Sequence, residues 1–130
     1  MTYKIYDENL PYERYEVAEV LQNSDGTKIV LEGLSHIVTV HFGFVEALCI
    51  CDEGRRIESY HQIPEIQAYR KADFEGNPLY LVEGSEFMNW LMKESCGFAF
   101  DDIHFSIITE NDFLDIAAPF PPKIEIKEKI

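Results

Sequence analysis

Cysteine is scarce in this sequence, with three in 130 residues, and an odd count argues against a disulfide framework. Positive charge is scarce too. Lysine and arginine total 11 against 24 aspartates and glutamates, for a net charge of −13. Such a field repels phosphate backbones, which speaks against direct DNA or RNA binding. No long apolar run is present. The stretch GLSHIVTVHFGFV, free of acids, lysine and arginine, is too short and too polar to span a bilayer. The start, MTYKIYDENL, lacks a basic segment followed by an apolar one, so no secretory leader is expected. With the odd cysteine count, this predicts a reduced, cytoplasmic setting. Also missing are a glycine-rich phosphate loop, a G-x-S-x-G elbow and H-E-x-x-H. No catalytic residue, metal site or cofactor is assigned on spacing, and the reading leans away from an enzyme.

What is present points to a packed domain. Apolar residues make up 46% and aromatics 13%, enough for a core and unlike a disordered chain. A chain of this length fits one domain, 1–130, and buries roughly two thirds of its unfolded surface. The acidity is even. Residues 1–65 hold 12 acids and 5 bases, and the remainder 12 and 6, so there is no acidic tail.

Strand signals dominate the first half. YEVAEVLQ and TKIVLEG flank NSDG, a turn cluster, and predict a hairpin. SHIVTVHF alternates, Gly43 breaks it, and FVEALCIC follows as another strand. DEG then turns the chain into RRIESY, giving about five N-terminal strands in an antiparallel meander, with TYKIY as a possible forerunner. A short helix is expected over Glu65–Lys71 behind Pro64, then a strand at LYLVE. Ser85 and Gly97 bracket a helix over about 85–96. Its Phe87, Met88, Trp90, Leu91 and Met92 cover about 200° of arc, which predicts a largely buried helix. HFSIITENDFLDIAA reads as a C-terminal β-hairpin turning near Glu110–Asp112. Residues 119–130 leave as an extended tail whose Ile124 and Ile126 suit an edge strand guarded by lysines. The expected class is α+β.

ALCICDEGRR, residues 47–56, is the most chemical-looking stretch. On a strand, Cys49 and Cys51 share a face, with Cα atoms about 6.5–7 Å apart, at the outer limit for a disulfide. Zinc wants four ligands, and His36, His41, His61, His104 and Cys96 show no ligand spacing. A three-residue loop at Asp52–Gly54 would pair Cys51 with Arg55 and Cys49 with Ile57. The opposite face carries Phe44, Leu48 and Ile50. The cysteines therefore read as small apolar residues in a central, doubly covered strand, and Arg55 and Arg56 as a solvated hairpin end.

The N-terminal segment suggests binding. YKIYDENLPYERYE interleaves Tyr6, Tyr12 and Tyr15 with Asp7, Glu8, Glu13 and Glu16. Tyrosine supplies rigid amphipathic area at interfaces, and acids complement a basic partner. These seven residues are the expected partner-binding set. The competing interpretation has the tyrosines alternating into a core.

GSEFMNWLMKESCG followed by HFSIITENDFLDIAAPFPP resembles a pattern of small bacterial proteins of uncharacterised activity. It combines a Ser-led aromatic helix, a His-aromatic strand with Thr, a hairpin into D-x-x-D-I/V, and a late proline. The resemblance transfers no functional residues. In size, acidity and single-domain build the chain is similar to immunity proteins that neutralise bacterial toxins. That likeness implies a protein that binds and occludes a basic toxin or nuclease. The alternative is a small-molecule-binding or enzymatic α+β domain, with His41, His104, Cys49 and Cys96 to suspect. A third is a homo-oligomer subunit whose KIEIKEKI tail adds a strand to a neighbour.

Overall fold

The computed structural model describes residues 1–52, 55–56 and 76–130. Period-two apolar patterning produces nine strands there: β1 (Thr2–Ile5), β2 (Glu16–Asn23), β3 (Gly26–Glu32), β4 (His36–Phe42), β5 (Ala47–Asp52), β6 (Leu79–Glu83), β7 (Ile103–Ile108), β8 (Asp112–Ala118) and β9 (Lys123–Glu128). One helix, α1 (Glu86–Glu94), lies between β6 and β7. The strands form two antiparallel sheets, ordered β1-β6-β7-β8-β5 and β2-β3-β4-β9. The α+β class, the meander and the C-terminal hairpin are as expected.

The meander proper is shorter than the sequence suggested. It comprises β2, β3 and β4, while β1 and β5 take opposite edges of the larger sheet. In the β2–β3 hairpin Asn23 pairs with Gly26, leaving Ser24 and Asp25 as the loop. Gly26 has φ +115°, and a Cβ there would lie 2.1 Å from the Phe42 carbonyl oxygen, so only glycine fits. The expected helix over 65–71, the strand after Arg56 and the loop through Gly54 lie outside the described residues.

Residues 123–128 of the tail form β9, paired with β4 from His41↔Lys123 to His36↔Glu128. Lys129 extends this attachment: its N–H donates to the Ser35 carbonyl at 2.8 Å and its Nζ to Glu32 at 2.9 Å. Most of KIEIKEKI thus pairs with β4 of its own chain, at an edge of the small sheet.

The two sheets face each other across one core. Ile29, Leu31, Val38, Val40 and Phe42 from the small sheet meet Leu79, Phe105, Ile107, Leu114, Ile116 and Ala118 from the large one. The large sheet's outer face carries a second cluster of Tyr3, Tyr80, Val82, Ile108 and Phe113. That face also supports α1, through Phe87, whose ring lies 4.9 Å from the His104 ring and tilted 41° to it.

The helix begins as expected. Ser85 is its N-cap and accepts from the Met88 N–H at 3.1 Å; the chain leaves through positive-φ Cys96 and Gly97. Its burial departs from expectation, because no residue of α1 is buried. A helix resting by one side on a sheet covers a narrower arc than its apolar residues span, so Trp90 and Met92 stay exposed. No helix among the described residues is long and apolar enough to cross a membrane.

Candidate functional site

The most organised polar constellation lies on the outer face of the large sheet. Strand alternation points Cys49 and Cys51 of β5, Phe113 and Asp115 of β8, and His104 and Ser106 of β7 to that face. Register then sets Cys49 and Ser106 directly opposite Asp115 in its two neighbouring strands. Asp115 Oδ1 accepts from His104 Nε2 at 2.7 Å and from the Ser106 hydroxyl at 2.9 Å. Its Oδ2 accepts from Arg56 Nη1 at 2.6 Å. On the far side of the imidazole, Nδ1 lies 2.7 Å from Ser85 Oγ. The ionised Asp115 can only accept, so Nε2 carries the proton on that side, while Ser85 Oγ also accepts from the Met88 N–H. Ser85, His104, Ser106 and Asp115 are all buried.

The charge at the centre of this chain is held in place. Burial alone would raise the Asp115 carboxyl, but the His104 hydrogen bond and the Arg56 charge outweigh it and lower its pKa. Arg56 in turn lies 4.1 Å above the Phe113 ring, a cation–π contact. Far from ending in solvent, Arg56 folds back over the sheet.

A Ser–His–Asp chain can polarise a hydroxyl for nucleophilic attack. Here the serine oxygen also caps a helix and is buried, so the arrangement serves first as a brace joining α1, β7 and β8. Ser85→Ala is expected to cost about 1–2 kcal/mol in a urea titration, from the lost cap and the orphaned imidazole nitrogen. A change below about 0.3 kcal/mol would refute the bracing role.

Cys49 and Cys51 do share a face, with their sulfurs 3.7 Å apart. Among the described residues their strand lies at an edge of the sheet rather than in the expected central position. Both thiols are part-buried, and Ile50 between them is exposed. Burial, then the hydrogen bond and charge of Cys51, and then Asp115, push the Cys49 thiol up, away from the reactive thiolate. Among the described residues no three histidines, cysteines or carboxylates gather as a metal cluster. Of the other suspected residues, His41 meets the Asp25 carbonyl at 3.1 Å and Cys96 is exposed at the helix end. His104 and Cys49 alone of that set come together, both beside Asp115.

The expected partner-binding residues divide. Tyr15 is fully buried and donates to the Pro11 carbonyl at 2.6 Å, so it cannot reach a partner. Tyr6 packs edge-on against Phe105, centroids 5.5 Å apart. Asp7 is used locally: its Oδ1 accepts from the Asn9 N–H, and its carbonyl accepts from Asn77. Glu13 turns inward to His36 and the Ser35 N–H. Burial would raise its carboxyl, but the Ser35 N–H and then His36 hold it down. Gly33 permits this approach, since a Cβ there would lie 2.6 Å from Glu13 Oε1. Glu8, Tyr12 and Glu16 remain exposed. Tyr12, Glu13 and Glu16 line an open cleft of about 580 Å³ with Arg14, His36 and Lys129. The tyrosines mostly follow the core interpretation.

A third place was not anticipated. β5 begins, β7 begins and β8 ends at one end of the large sheet, where Ala47 pairs with Ala117 and Ile103 with Ala118. The connections there carry Phe44, Phe98, Phe100 and Phe120, each between 57% and 84% exposed. They also carry Glu46, Asp101 and Asp102. Burial, then Glu46, then Asp101 raise the Asp102 carboxyl to about 6, and its Oδ2 has no hydrogen-bond partner among the described residues. Asp102→Asn is therefore expected to stabilise the protein at pH 7 by about 1 kcal/mol once solvent screening is allowed for. Thermal melts would show a midpoint a few degrees higher, and a lower midpoint would contradict the strain.

No protein-family model, curated protein or solved structure matches the chain, so function rests on chemistry alone.

Proposed function

We propose that this protein is a binding protein of immunity or inhibitor type, which occludes a basic partner such as a toxin or nuclease. The observation that carries this reading is the uncompensated charge, −13 over 130 residues, spread over both halves of the chain. Long-range attraction from such a surface speeds encounter with a basic protein, and exposed aromatics supply the affinity once contact is made. The three cysteines suit a reducing, cytoplasmic setting. Immobilised full-length protein exposed to source-cell lysate at low and high salt is the test. Retention of a basic protein at low salt, its release at high salt, and loss of that protein's activity on stoichiometric addition are expected. If nothing basic is retained at low salt, the reading fails. If the retained protein keeps its activity, the inhibitory half fails.

The enzymatic alternative is favoured by one observation, the Ser85–His104–Asp115 chain. Against it stand the burial of Ser85 and its duty as N-cap. Stoichiometric labelling of Ser85 by a serine-directed fluorophosphonate would shift the balance to that reading.

A further inference from the structure

We infer that the end of the large sheet formed by residues 43–46, 98–102 and 119–121 is the docking surface for a lysine- or arginine-bearing segment of a partner protein. This rests on the basic-partner reading above and adds where the contact is made. Four observations converge on it.

The sheet register brings three separate connections to one end. Glu46 donates its N–H to the Ala117 carbonyl at 2.8 Å, which fixes the β4–β5 connection beside the end of β8. Asp102 donates its N–H to the Ala99 carbonyl at 3.0 Å, which folds the helix–β7 connection into a compact turn. The surface is therefore assembled on strands, not carried on a free loop.

Four phenylalanines in these connections are more than half exposed. Single exposed apolar residues are ordinary, whereas several large aromatics at one end of a small domain mark an interaction surface. A lone tyrosine such as Tyr12 at the N-terminal cleft offers less area.

The polar residues there are of one sign. Glu46, Asp101 and Asp102 fall within these segments, and no lysine or arginine does; the nearest cation along the chain is Lys123, where β9 begins. Glu46 and Asp101 repel Asp102. At neutral pH an incoming cation would relieve that repulsion.

Finally, Asp102 Oδ2 is a shielded acceptor without a donor among the described residues. An ammonium or guanidinium from a partner would pair with the exposed Glu46 and Asp101 carboxylates and offset the charge of Asp102 behind them, and its aliphatic stem and charge would lie over phenyl rings in the manner of a cation–π contact. The same carboxylates disfavour an anionic lipid surface, which separates this end from a membrane-inserting aromatic loop.

The test titrates 15N-labelled full-length protein with a synthetic peptide of lysines and leucines at 50 mM and 150 mM salt. Shift changes are expected to concentrate in residues 43–46, 98–102 and 119–121. The combined variant Phe98→Ala, Phe100→Ala, Glu46→Gln, Asp102→Asn should weaken peptide binding at least tenfold. Glu19→Gln with Glu128→Gln removes two charges from exposed positions of the small sheet and should change affinity less than twofold. All six positions are exposed or part-exposed, and far-UV circular dichroism would verify the fold. If the peptide binds but its shifts lie elsewhere, or both variants weaken it equally, this surface is wrong and the basic-partner reading survives. No binding at 50 mM salt overturns both. Concentration-dependent shifts of the same residues without peptide would assign the surface to a second copy of this chain. Stronger binding to phosphatidylcholine vesicles than to the peptide would assign it to a membrane.

Discussion

Asp115→Ala is expected to lower the free energy of unfolding by about 3–5 kcal/mol, the cost of removing one partner from a buried charged pair. The carboxylate accepts from His104, Ser106 and Arg56 at 2.6–2.9 Å. Its loss strands an imidazole N–H and a hydroxyl, both buried, and a part-buried guanidinium. Against a typical domain stability of about 5–15 kcal/mol, that loss removes a large share. A urea titration reads it as a lower midpoint with unchanged slope. A loss under about 1 kcal/mol would mean that the three donors find other partners. Asp115→Asn keeps the shape and one acceptor oxygen but turns an amide toward Arg56, so it should fall between wild type and alanine.

The pH dependence follows from the direction of the shift. Asp115 is held below its ordinary value of 3.8 when folded and returns to it on unfolding. The unfolded chain therefore binds its proton first as pH falls. The stabilisation is complete above about pH 5 and disappears as pH drops through 4 and below. Asp102 has the opposite sign, since its folded carboxyl titrates at about 6. Acidification from pH 7 toward 5 relieves its repulsion with Glu46 and Asp101, so a shallow gain precedes the acid loss. Asp115→Asn should flatten the limb below pH 4, and Asp102→Asn the gain above pH 5. An unaltered acid limb in Asp115→Asn would place the acid sensitivity elsewhere, with Glu13 the next carboxylate held low.

Much of the fold was legible, because strand formation here is local. The alternation in SHIVTVHF, the NSDG turn and the lysine-guarded tail each carry their own geometry, and each appears where the pattern put it. Sheet membership is not local. Cys49, Ile50 and Cys51 read as a central strand because both faces looked apolar, yet among the described residues β5 pairs only with β8, and its outer face looks onto Asp115. Nothing near residue 50 announces a carboxylate 65 positions later. The helix departs from expectation for a related reason: its apolar arc is real, but Trp90 and Met92 stay exposed because only one side of it rests on the sheet.

The polar chain was legible only in fragments. Ser85 was recognised as a cap, His104 as part of a His-aromatic strand and Asp115 as the second acid of D-x-x-D. What joins them is register, Ser106 opposite Asp115 and Val82 opposite His104, which single-chain spacing does not encode. One signal was available. Asp115 sits among Phe113, Leu114, Ile116, Ala117 and Ala118, and a charge inside an apolar strand must be paired. The N-terminal tyrosines misled because alternation with acids is produced equally by an interface and by a half-buried segment. Tyr15 and Tyr6 took the second route.

Phe105→Ala is the second substitution expected to have a large effect, about 3–5 kcal/mol from lost burial and the cavity left behind. Phe105 is fully buried at the centre of β7, facing away from His104 and Ser106 on its own strand. Its ring meets Phe42 of the opposite sheet edge-on at 5.3 Å and Tyr6 at 5.5 Å. It is thus the joint across which the two sheets and the N-terminal segment interlock. Phe105→Leu retains most of the volume and should cost about 1–2 kcal/mol. The ring-to-ring geometry adds a further check. Edge-to-face pairs contribute about 0.5–1.5 kcal/mol beyond their area, so Phe42→Ala and Phe105→Ala together should cost less than the sum of the two by about that amount. Strict additivity would mean that the sheets are held by bulk apolar burial, and that these rings contribute no contact of their own.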